Sequence, residues 1–216
     1  MKIGIVGGTG DIGEGIALRL STIFDVIVGS RECDKAEATC AMNIETLRKR
    51  GQKCSLKGVS NQTAVDESDI VILAVPFKHL LGTLETLKGF EGKIVISPVN
   101  PMEKREFFTF VPPAEGSAAL LIQRLLPRTA RICTAFNTVA ANRWKLFDEE
   151  LDYSVPVCGD DPGAKQQVME IVNRVSKLRA FDAGPLAASN LVESITPLLL
   201  NIARYNKMKD VGIQFR

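Results

Sequence analysis

Several residue types that enzymes commonly use are scarce in this chain of 216 residues. It has one histidine, His79, and no Cys-x-x-Cys pair, so we expect no metal site. The five cysteines are scattered along the chain, at Cys33, Cys40, Cys54, Cys133 and Cys158. An odd number of scattered thiols is typical of a reducing compartment. Aromatic residues make up 6% of the chain and the formal net charge is +2, with no basic cluster, which argues against nucleic acid as the main partner.

Long apolar runs and targeting signals are also missing from the pattern. A predicted strand begins directly after Met1, so we expect no signal peptide. We also expect no apolar run long enough to span a bilayer, and therefore no membrane partner and a cytoplasmic location. With 45% hydrophobic residues, a chain of this length can bury a sizeable core.

What the sequence does have is a glycine-rich turn near its first residue. The apolar run Ile3–Val6 predicts a strand, and the apolar residues over 12–20 have helical spacing. Between them, Gly8, Gly10 and Gly13 fit the pattern G-x-G-x-x-G. Such glycines allow a tight turn, a close approach to a pyrophosphate and close helix packing, and the first N–H groups of the helix bind the phosphates. This context predicts a dinucleotide site, against the alternative of a plain strand, turn and helix.

The end of the second predicted strand, Val26–Val28, indicates which dinucleotide binds. An NAD site needs an acidic residue there, and this chain has none. Ser30 and Arg31 stand in its place, and Lys35 follows at the start of a helix. A 2′-phosphate would find a bidentate partner in Arg31, a donor in Ser30 and a second positive charge in Lys35. We therefore predict NADP, although Arg31 and Lys35 are also compatible with solvated surface charges.

The rest of the chain alternates between strand and helix patterns. Buried strands are predicted over 69–75, 93–97, 131–136, 154–158 and 179–182, and helices over 34–50, 61–66, 77–87, 117–126, 162–178 and 190–205. This alternation predicts an α/β fold with a doubly wound, Rossmann-type sheet. We expect an NADP-binding domain over 1–183 and a small C-terminal helical segment over 184–216 that completes the substrate cleft. Asn61 is expected to cap its helix, Pro197 to kink the last one, and 102–114 to form a long functional loop.

Ligands of such sheets bind beyond the carboxyl ends of the strands. This rule selects Ala74–Phe77, Ser97–Pro101 and the segment 137–142. His79 follows one of these strand ends by about one helical turn. It is either a cofactor contact or an ordinary surface or core histidine.

The chemistry available to this site is limited. Tyr153 and Tyr205 belong to no Tyr-x-x-x-Lys pair, and His79 has no obvious carboxylate partner. A dehydrogenase of alcohols normally needs such a proton shuttle or a metal, so we predict no catalytic residue of the acid or base type. A site of this kind suits hydride transfer between two cofactors, because the second ring system manages its own protons. Positioning and exclusion of water then supply the catalysis.

Four blocks of sequence, spread from the first strand to the last helix, carry a resemblance. They are Ile5–Gly15, Val28–Arg31, Val155–Asp161, and Asp182–Leu186 with Leu191–Ser194 and Thr196–Pro197. Together they resemble the archaeal NADP-dependent oxidoreductases of coenzyme F-420, over essentially the whole chain. The resemblance implies reversible hydride transfer between the 8-hydroxy-5-deazaflavin coenzyme and the NADP nicotinamide. It also implies a homodimer and a methanogen-like archaeal source.

The resemblance also implies a set of site residues. The nucleotide contacts that it implies are Thr9, Gly10, Asp11 and Ile12 at the pyrophosphate, Ser30, Arg31 and Lys35 at the 2′-phosphate, and His79, Asn100 and Ala141 along the rest of NADP. To these we add Gly8 from the glycine motif, and Val75, Pro76 and Val99 from the strand ends. The deazaflavin contacts would be Asn137, Thr138, Ser194, Thr196 and Met208. This chain has Asn137 and Ala140 where the family often has His and Pro. For Ser194 and Thr196 the alternative is local bonding around Pro197.

Two other functions fit the same nucleotide domain. One is an NADP-dependent reductase of another small substrate, such as an imine or a metal chelate. The other is a non-catalytic sensor of the NADP redox state, which needs no second pocket. A two-cofactor enzyme needs a long cleft at the C-terminal segment, bordered by cations because the deazaflavin coenzyme has an anionic tail. Candidates are Lys104, Arg105, Lys207 and Lys209, which are equally compatible with solvated charges.

Overall fold

A computed structural model describes residues 1–216 of the protein. The strands are β1 Lys2–Val6, β2 Asp25–Ser30, β3 Ser55–Ser60, β4 Ile70–Leu73, β5 Ile94–Ser97, β6 Met102–Lys104, β7 Phe108–Phe110, β8 Arg131–Thr134, β9 Ser154–Gly159 and β10 Arg179–Asp182. The helices are α1 Asp11–Leu20, α2 Cys33–Lys49, α3 Asn61–Asp66, α4 Phe77–Glu85, α5 Ala118–Leu125, α6 Ala141–Lys145, α7 Pro162–Arg174 and α8 Ser189–Tyr205, with a 3₁₀ turn over Leu186–Ala188.

Eight of the strands form one sheet in the order β10-β9-β8-β5-β4-β1-β2-β3. The six strands from β8 to β3 are parallel, β9 is antiparallel to β8, and β10 is parallel to β9. The chain moves outward from β1 in both directions, first to β2 and β3 and then to β4 and β5. This reversal beside β1 opens a crevice at the carboxyl ends of the strands. The predicted doubly wound α/β fold is confirmed.

The core lies on both faces of this sheet. Ile70 and Ile72 of β4 belong to one buried cluster, and Val71 and Leu73 belong to a second one on the other face. All four residues are buried. A strand with both faces covered needs an apolar residue at every position, which is why its sequence reads as a continuous apolar run.

Residues 102–114 differ from the predicted long loop. Strands β6 and β7 pair antiparallel, with Met102 opposite Phe110 and Lys104 opposite Phe108. Aromatic residues alternate with Thr109 in β7, which favours an extended strand. The segment is therefore a short β-hairpin that stands outside the main sheet.

The cap of α3 also differs from the prediction. Ser60, rather than Asn61, precedes the helix, and its Oγ accepts a hydrogen bond from the backbone N–H of Thr63. Asn61 is thus the first helical residue, and its side chain is free to bond elsewhere. The short helix α6 was not predicted, because five residues are too few to show a helical period.

The C-terminal helix α8 packs against β7, α5 and the 3₁₀ turn, and Pro197 lies inside it as predicted. We expected no apolar run long enough to cross a bilayer. By length and composition alone the segment Leu186–Tyr205 differs from that expectation, since an 18-residue window within it has a mean hydropathy of 1.3. A single helix of this kind is weak evidence for a span, because packed core helices meet the same criterion.

Candidate active site

The glycine-rich turn between β1 and α1 forms one wall of the candidate site. Gly7 has a φ of +73°, and a Cβ there would lie 2.6 Å from Cγ1 of Val75. Only glycine fits such a position, although Gly7 is not one of the three motif glycines. Gly13 packs against the turn, where a Cβ would lie 2.7 Å from the Gly7 carbonyl oxygen. Gly10 has its open side toward the crevice, with no neighbour nearer than 3.4 Å.

The first turn of α1 supplies donors for an anion. Its N-cap residue, Gly10, has no side chain to bond the N–H groups of the first helical turn. Those N–H groups, from Asp11 onward, are the usual phosphate-binding donors of this fold. The backbone N–H of Gly8 is not among them, because it donates to the Gly29 carbonyl at 2.9 Å. Gly8 thus shapes the turn and leaves phosphate binding to its neighbours.

Asn61 stabilises the glycine-rich turn, although the sequence does not predict it as a site residue. Its Oδ1 accepts a hydrogen bond of 3.1 Å from the backbone N–H of Gly7. A Cβ at Gly29 would lie 2.8 Å from the same oxygen, so the strand end must be glycine there. The side chain that was expected to cap a helix therefore fixes the phosphate turn.

The predicted 2′-phosphate residues lie at the end of β2 and the start of α2. Ser30 is buried, and its Oγ accepts from the backbone N–H of Glu32 at 3.2 Å. Arg31 and Lys35 are exposed, and neither side chain forms an ion pair or a hydrogen bond within the protein. Both cations are therefore available to a ligand.

A cleft of about 710 Å³ runs beside the turn, over the ends of β4 and β5. Eight predicted nucleotide residues line it, namely Gly10, Asp11, Ile12, Val75, Pro76, Val99, Asn100 and Ala141. The hairpin contributes Met102, Glu103 and Val111, and the first turn of α4 contributes Phe77 and Lys78. His79 is exposed on that same turn but does not line the cleft.

An amide network forms the floor at the end of β5. Asn137 Nδ2 donates to the Val99 carbonyl and to Asn100 Oδ1, both at 3.1 Å. Asn100 Nδ2 and Thr196 Oγ1 both donate to the Asn137 carbonyl, at 3.2 Å and 2.7 Å. The network therefore ties the ends of β5 and β8 to α8. Asn137 itself is 3% exposed, and its Oδ1 is buried with no donor from the protein.

Three predicted deazaflavin residues are not brought together by the structure. Thr138 is 2% exposed, and its hydroxyl donates to the Ser154 carbonyl at 3.2 Å. The Ser194 hydroxyl donates to the Leu191 carbonyl of its own helix at 2.8 Å, which is local bonding of the kind that the sequence also allows. Met208 is exposed beyond the end of α8. Thr196, in contrast, bonds across to Asn137 rather than locally.

Helix α6, which carries Ala141, is held to α1 by ionic and polar contacts. Lys145 Nζ lies 2.8 Å from Glu14 Oε2 and 3.0 Å from Asp11 Oδ1, and these two carboxylates, Glu14 first, raise the pKa of Lys145. The buried guanidinium of Arg19 donates to the carbonyls of Arg143, Trp144, Leu146 and Glu149. Burial, and then the charge of Arg143, lower the pKa of Arg19. These contacts join residues that are far apart in the sequence, so no local sequence pattern predicts them.

The sheet order, the glycine turn at the switch point and the cleft beside that turn define a dinucleotide-binding protein of the Rossmann class. Residues 2–101 match the model of a family described as NADP oxidoreductase, coenzyme F420-dependent. The chain is 37% identical to the F420-dependent NADP reductase of Methanocaldococcus jannaschii, over 99% of this chain and 97% of that protein. It is 31% identical to the F420-dependent NADP reductase of Methanothermobacter marburgensis, with the same coverage.

The chain therefore belongs to the family of coenzyme F-420-dependent NADP oxidoreductases, as its sequence blocks predicted. A crystal structure of an Arthrobacter sp. FB24 protein superposes with a TM-score of 0.82 and covers 100% of this chain and 99% of that one. At 20% sequence identity, this match bears on the fold alone.

Proposed function

We propose that this protein transfers a hydride reversibly between reduced coenzyme F-420 and NADP. Its family membership supports this function. The observation that carries the proposal is the cleft, which extends from the phosphate turn past Val75 to Asn100 and Ala141. This site joins the phosphate turn to the hairpin, where we place the second ring.

The NADP half of the site is assigned to the turn and the neighbouring strand ends. The N–H groups at the start of α1 bind the pyrophosphate. Arg31 and Lys35, which have no protein partners, pair with the 2′-phosphate, and the Ser30 hydroxyl donates to it. Asn100 and Ala141 lie at the nicotinamide end. The buried Oδ1 of Asn137, which lacks a protein donor, supports a ligand at this end, because buried polar atoms without partners are rare.

The deazaflavin half is assigned to the hairpin, Thr196 and the C-terminal segment 184–216, which completes the cleft. Bound nicotinamide and deazaflavin supply the redox chemistry themselves. The protein residues orient the two rings and exclude water, and no side chain is assigned a proton to move. Asp11, Lys78 and Glu103 are the ionisable side chains that line the cleft.

The anionic tail of the deazaflavin coenzyme is assigned to the cations around the hairpin and the end of α8. Arg105 is paired with Glu103 at 2.8 Å, so it is the least available of them. Lys104 lies over the ring of Phe108 at 5.8 Å and has no carboxylate partner. Lys207 and Lys209 are exposed beyond α8.

The proposal includes a homodimer in the cytoplasm. Exposed apolar residues form a stripe along one side of α8, with exposures of 66% for Leu191, 57% for Leu198, 38% for Ile202 and 66% for Tyr205. A stripe at this spacing is typical of a helix that packs against a partner. The five cysteines are free thiols, which is compatible with a reducing compartment. Light scattering should give twice the chain mass of 23.6 kDa, and Leu198→Glu should give the monomer.

A spectroscopic assay tests the proposed reaction. Purified protein is mixed with oxidised coenzyme F-420 and NADPH, and the visible absorbance of the deazaflavin is followed, with NADH as control. We expect loss of absorbance with NADPH and little with NADH. If NADPH binds but the absorbance does not change, the protein acts on another small substrate or is a sensor of the NADP redox state.

A further inference from the structure

A buried carboxylate joins α8 to the start of α5. Glu193 is 0% exposed. Its Oε2 accepts a hydrogen bond of 2.8 Å from the backbone N–H of Ala118, and its Oε1 accepts one of 3.0 Å from that of Ala119. The hydroxyl of Ser117 accepts from the N–H of Leu120 at 3.0 Å. The N–H groups that open α5 are thus satisfied partly by its own cap and partly by a side chain 75 residues away in sequence.

The start of a helix is a suitable partner for a carboxylate. Its N–H groups have no intrahelical acceptors, and the helix dipole favours negative charge there. Two oxygens accept two neighbouring N–H groups, so the carboxylate has one orientation in which both bonds form. Among the elements packed against α8, β7 and the 3₁₀ turn carry no ionisable side chain, and α5 carries only Arg124, which is paired with Glu115 at 2.7 Å.

Glu193 is also close in the helix to a residue of the cleft floor. Thr196 lies three positions further along α8, and residues three apart occupy the same side of a helix. The Thr196 hydroxyl donates to the Asn137 carbonyl, which also accepts from Asn100. A rotation of α8 would break the bonds at Glu193 and at Thr196 together.

We propose that Glu193 is a positioning residue for the deazaflavin half of the site. Its two bonds to the start of α5 fix the rotation of α8, and this rotation places Thr196 against the floor of the cleft. Glu193 does not touch either cofactor in this account, and its effect passes through Thr196. The inference rests on the proposed function, because it assigns the end of the cleft beside Thr196 to the deazaflavin.

Two variants separate the effect of the negative charge of Glu193 from the effect of the length of its side chain. Glu193→Gln keeps the shape of the side chain, but an amide NH₂ group replaces one of the two acceptor oxygens. One hydrogen bond from the start of α5 is therefore lost, and two donors repel each other in its place. Glu193→Asp keeps the charge and shortens the side chain. Glu85→Gln, at the exposed end of α4, is the matched control. The measurements, made at about pH 8 so that the Glu193 carboxyl is ionised, are equilibrium dialysis of coenzyme F-420 and of NADPH, and amide hydrogen exchange of the peptide over 117–125.

For Glu193→Gln we expect the dissociation constant of coenzyme F-420 to rise about tenfold, as for the loss of one bond to a charged group. The dissociation constant of NADPH should stay within about twofold, because the NADP half is held by other elements. Ala118 and Ala119 should exchange faster than in the wild-type protein. Glu193→Asp should lie between the two, and Glu85→Gln should match the wild type in every measurement.

Three results would overturn parts of this account, and they can be told apart. Equal losses of both ligands, or unchanged binding of coenzyme F-420 with faster exchange, would reject Glu193 as a positioning residue. If Glu193→Gln does not fold, Glu193→Asp decides by the same comparison of the two ligands. A wild-type protein that binds NADPH but no coenzyme F-420 would instead reject the proposed function itself, and the exchange of Ala118 and Ala119 would still report whether Glu193 holds α8.

Discussion

The side-chain amide of Asn201 pairs with the backbone of Phe108 as another strand would. Its Oδ1 accepts from the Phe108 N–H, and its Nδ2 donates to the Phe108 carbonyl, both at 2.8 Å. Arg204, one turn further along α8, donates to the Glu106 carbonyl. These bonds fix the hairpin to α8. Since the hairpin residues Met102, Glu103 and Val111 line the cleft, α8 determines where that wall of the cleft stands.

Replacement of Asn201 by Ala should loosen this wall. Two hydrogen bonds are lost and two backbone groups of Phe108 are left without partners, so we expect about 1–3 kcal/mol less stability in urea unfolding. The KM for coenzyme F-420 should rise more than the KM for NADPH. Asn206→Ala is the control, because Asn206 bonds only to Ile202 of its own helix. Equal effects of the two substitutions on both KM values would contradict a coupled hairpin.

Reversal of the charge at Arg31 tests the NADP assignment. Arg31→Asp removes a charge-assisted pair and places a carboxylate beside the 2′-phosphate, so we expect the KM for NADPH to rise by about tenfold to hundredfold. The KM for NADH should change little, because NADH has no phosphate at that position. Arg48→Asp, near the far end of α2, serves as the control. If NADPH and NADH lose affinity equally, Arg31 does not read the 2′-phosphate.

The stability of the protein should depend on pH through Glu193. Burial raises the pKa of its carboxyl group from 4.5 to about 7, and the two backbone bonds only partly oppose this rise. The folded state binds the proton of Glu193 more tightly than the unfolded state does, so protonation of Glu193 stabilises the folded state. This stabilisation is complete below the pKa of the unfolded state. It is lost as the pH rises through the folded pKa. No other ionisable group contributes to the shift.

Glu193→Gln removes this dependence. The difference in unfolding free energy between the wild type and the variant should therefore fall by about 2–3 kcal/mol between about pH 5 and about pH 8. Urea unfolding at a series of pH values gives the two curves, and the other titrating groups cancel in their difference. Parallel curves would show that Glu193 titrates with an ordinary pKa.

The cysteines should be dispensable for turnover. None lines the cleft, and burial raises the pKa of Cys40 and of Cys133 to about 12, which keeps both thiols protonated. Each single Cys→Ser variant should keep kcat within a few-fold of the wild type. A variant that folds with a native circular dichroism spectrum but does not turn over would reveal a thiol mechanism.

Local sequence patterns predicted seven of the eight strands of the main sheet, the glycine turn and the strand ends that border the cleft, but not the edge strand β3, in which only Val59 is buried. They could not assign Asn61 to the turn or Arg19 to α6, because these bonds join residues far apart in sequence. The sequence predicts a loop where the hairpin stands, because two strands of three residues show no period. Thr138 follows a strand end, as a ligand residue would, but the chain turns at Phe136, where φ is +69°, and the side chain is buried. The contacts that we assign between the site residues and the two cofactors remain predictions.

Transfer of deuterium tests the central claim most directly. NADPH carrying deuterium at both positions of nicotinamide carbon 4 is incubated with the protein and oxidised coenzyme F-420 in ordinary water. Direct transfer over the cleft predicts one deuterium per molecule of reduced coenzyme, bound to the deazaflavin ring and detected by mass spectrometry. Reduced coenzyme without deuterium, or no reduction while NADPH is bound, would contradict hydride transfer between the two cofactors.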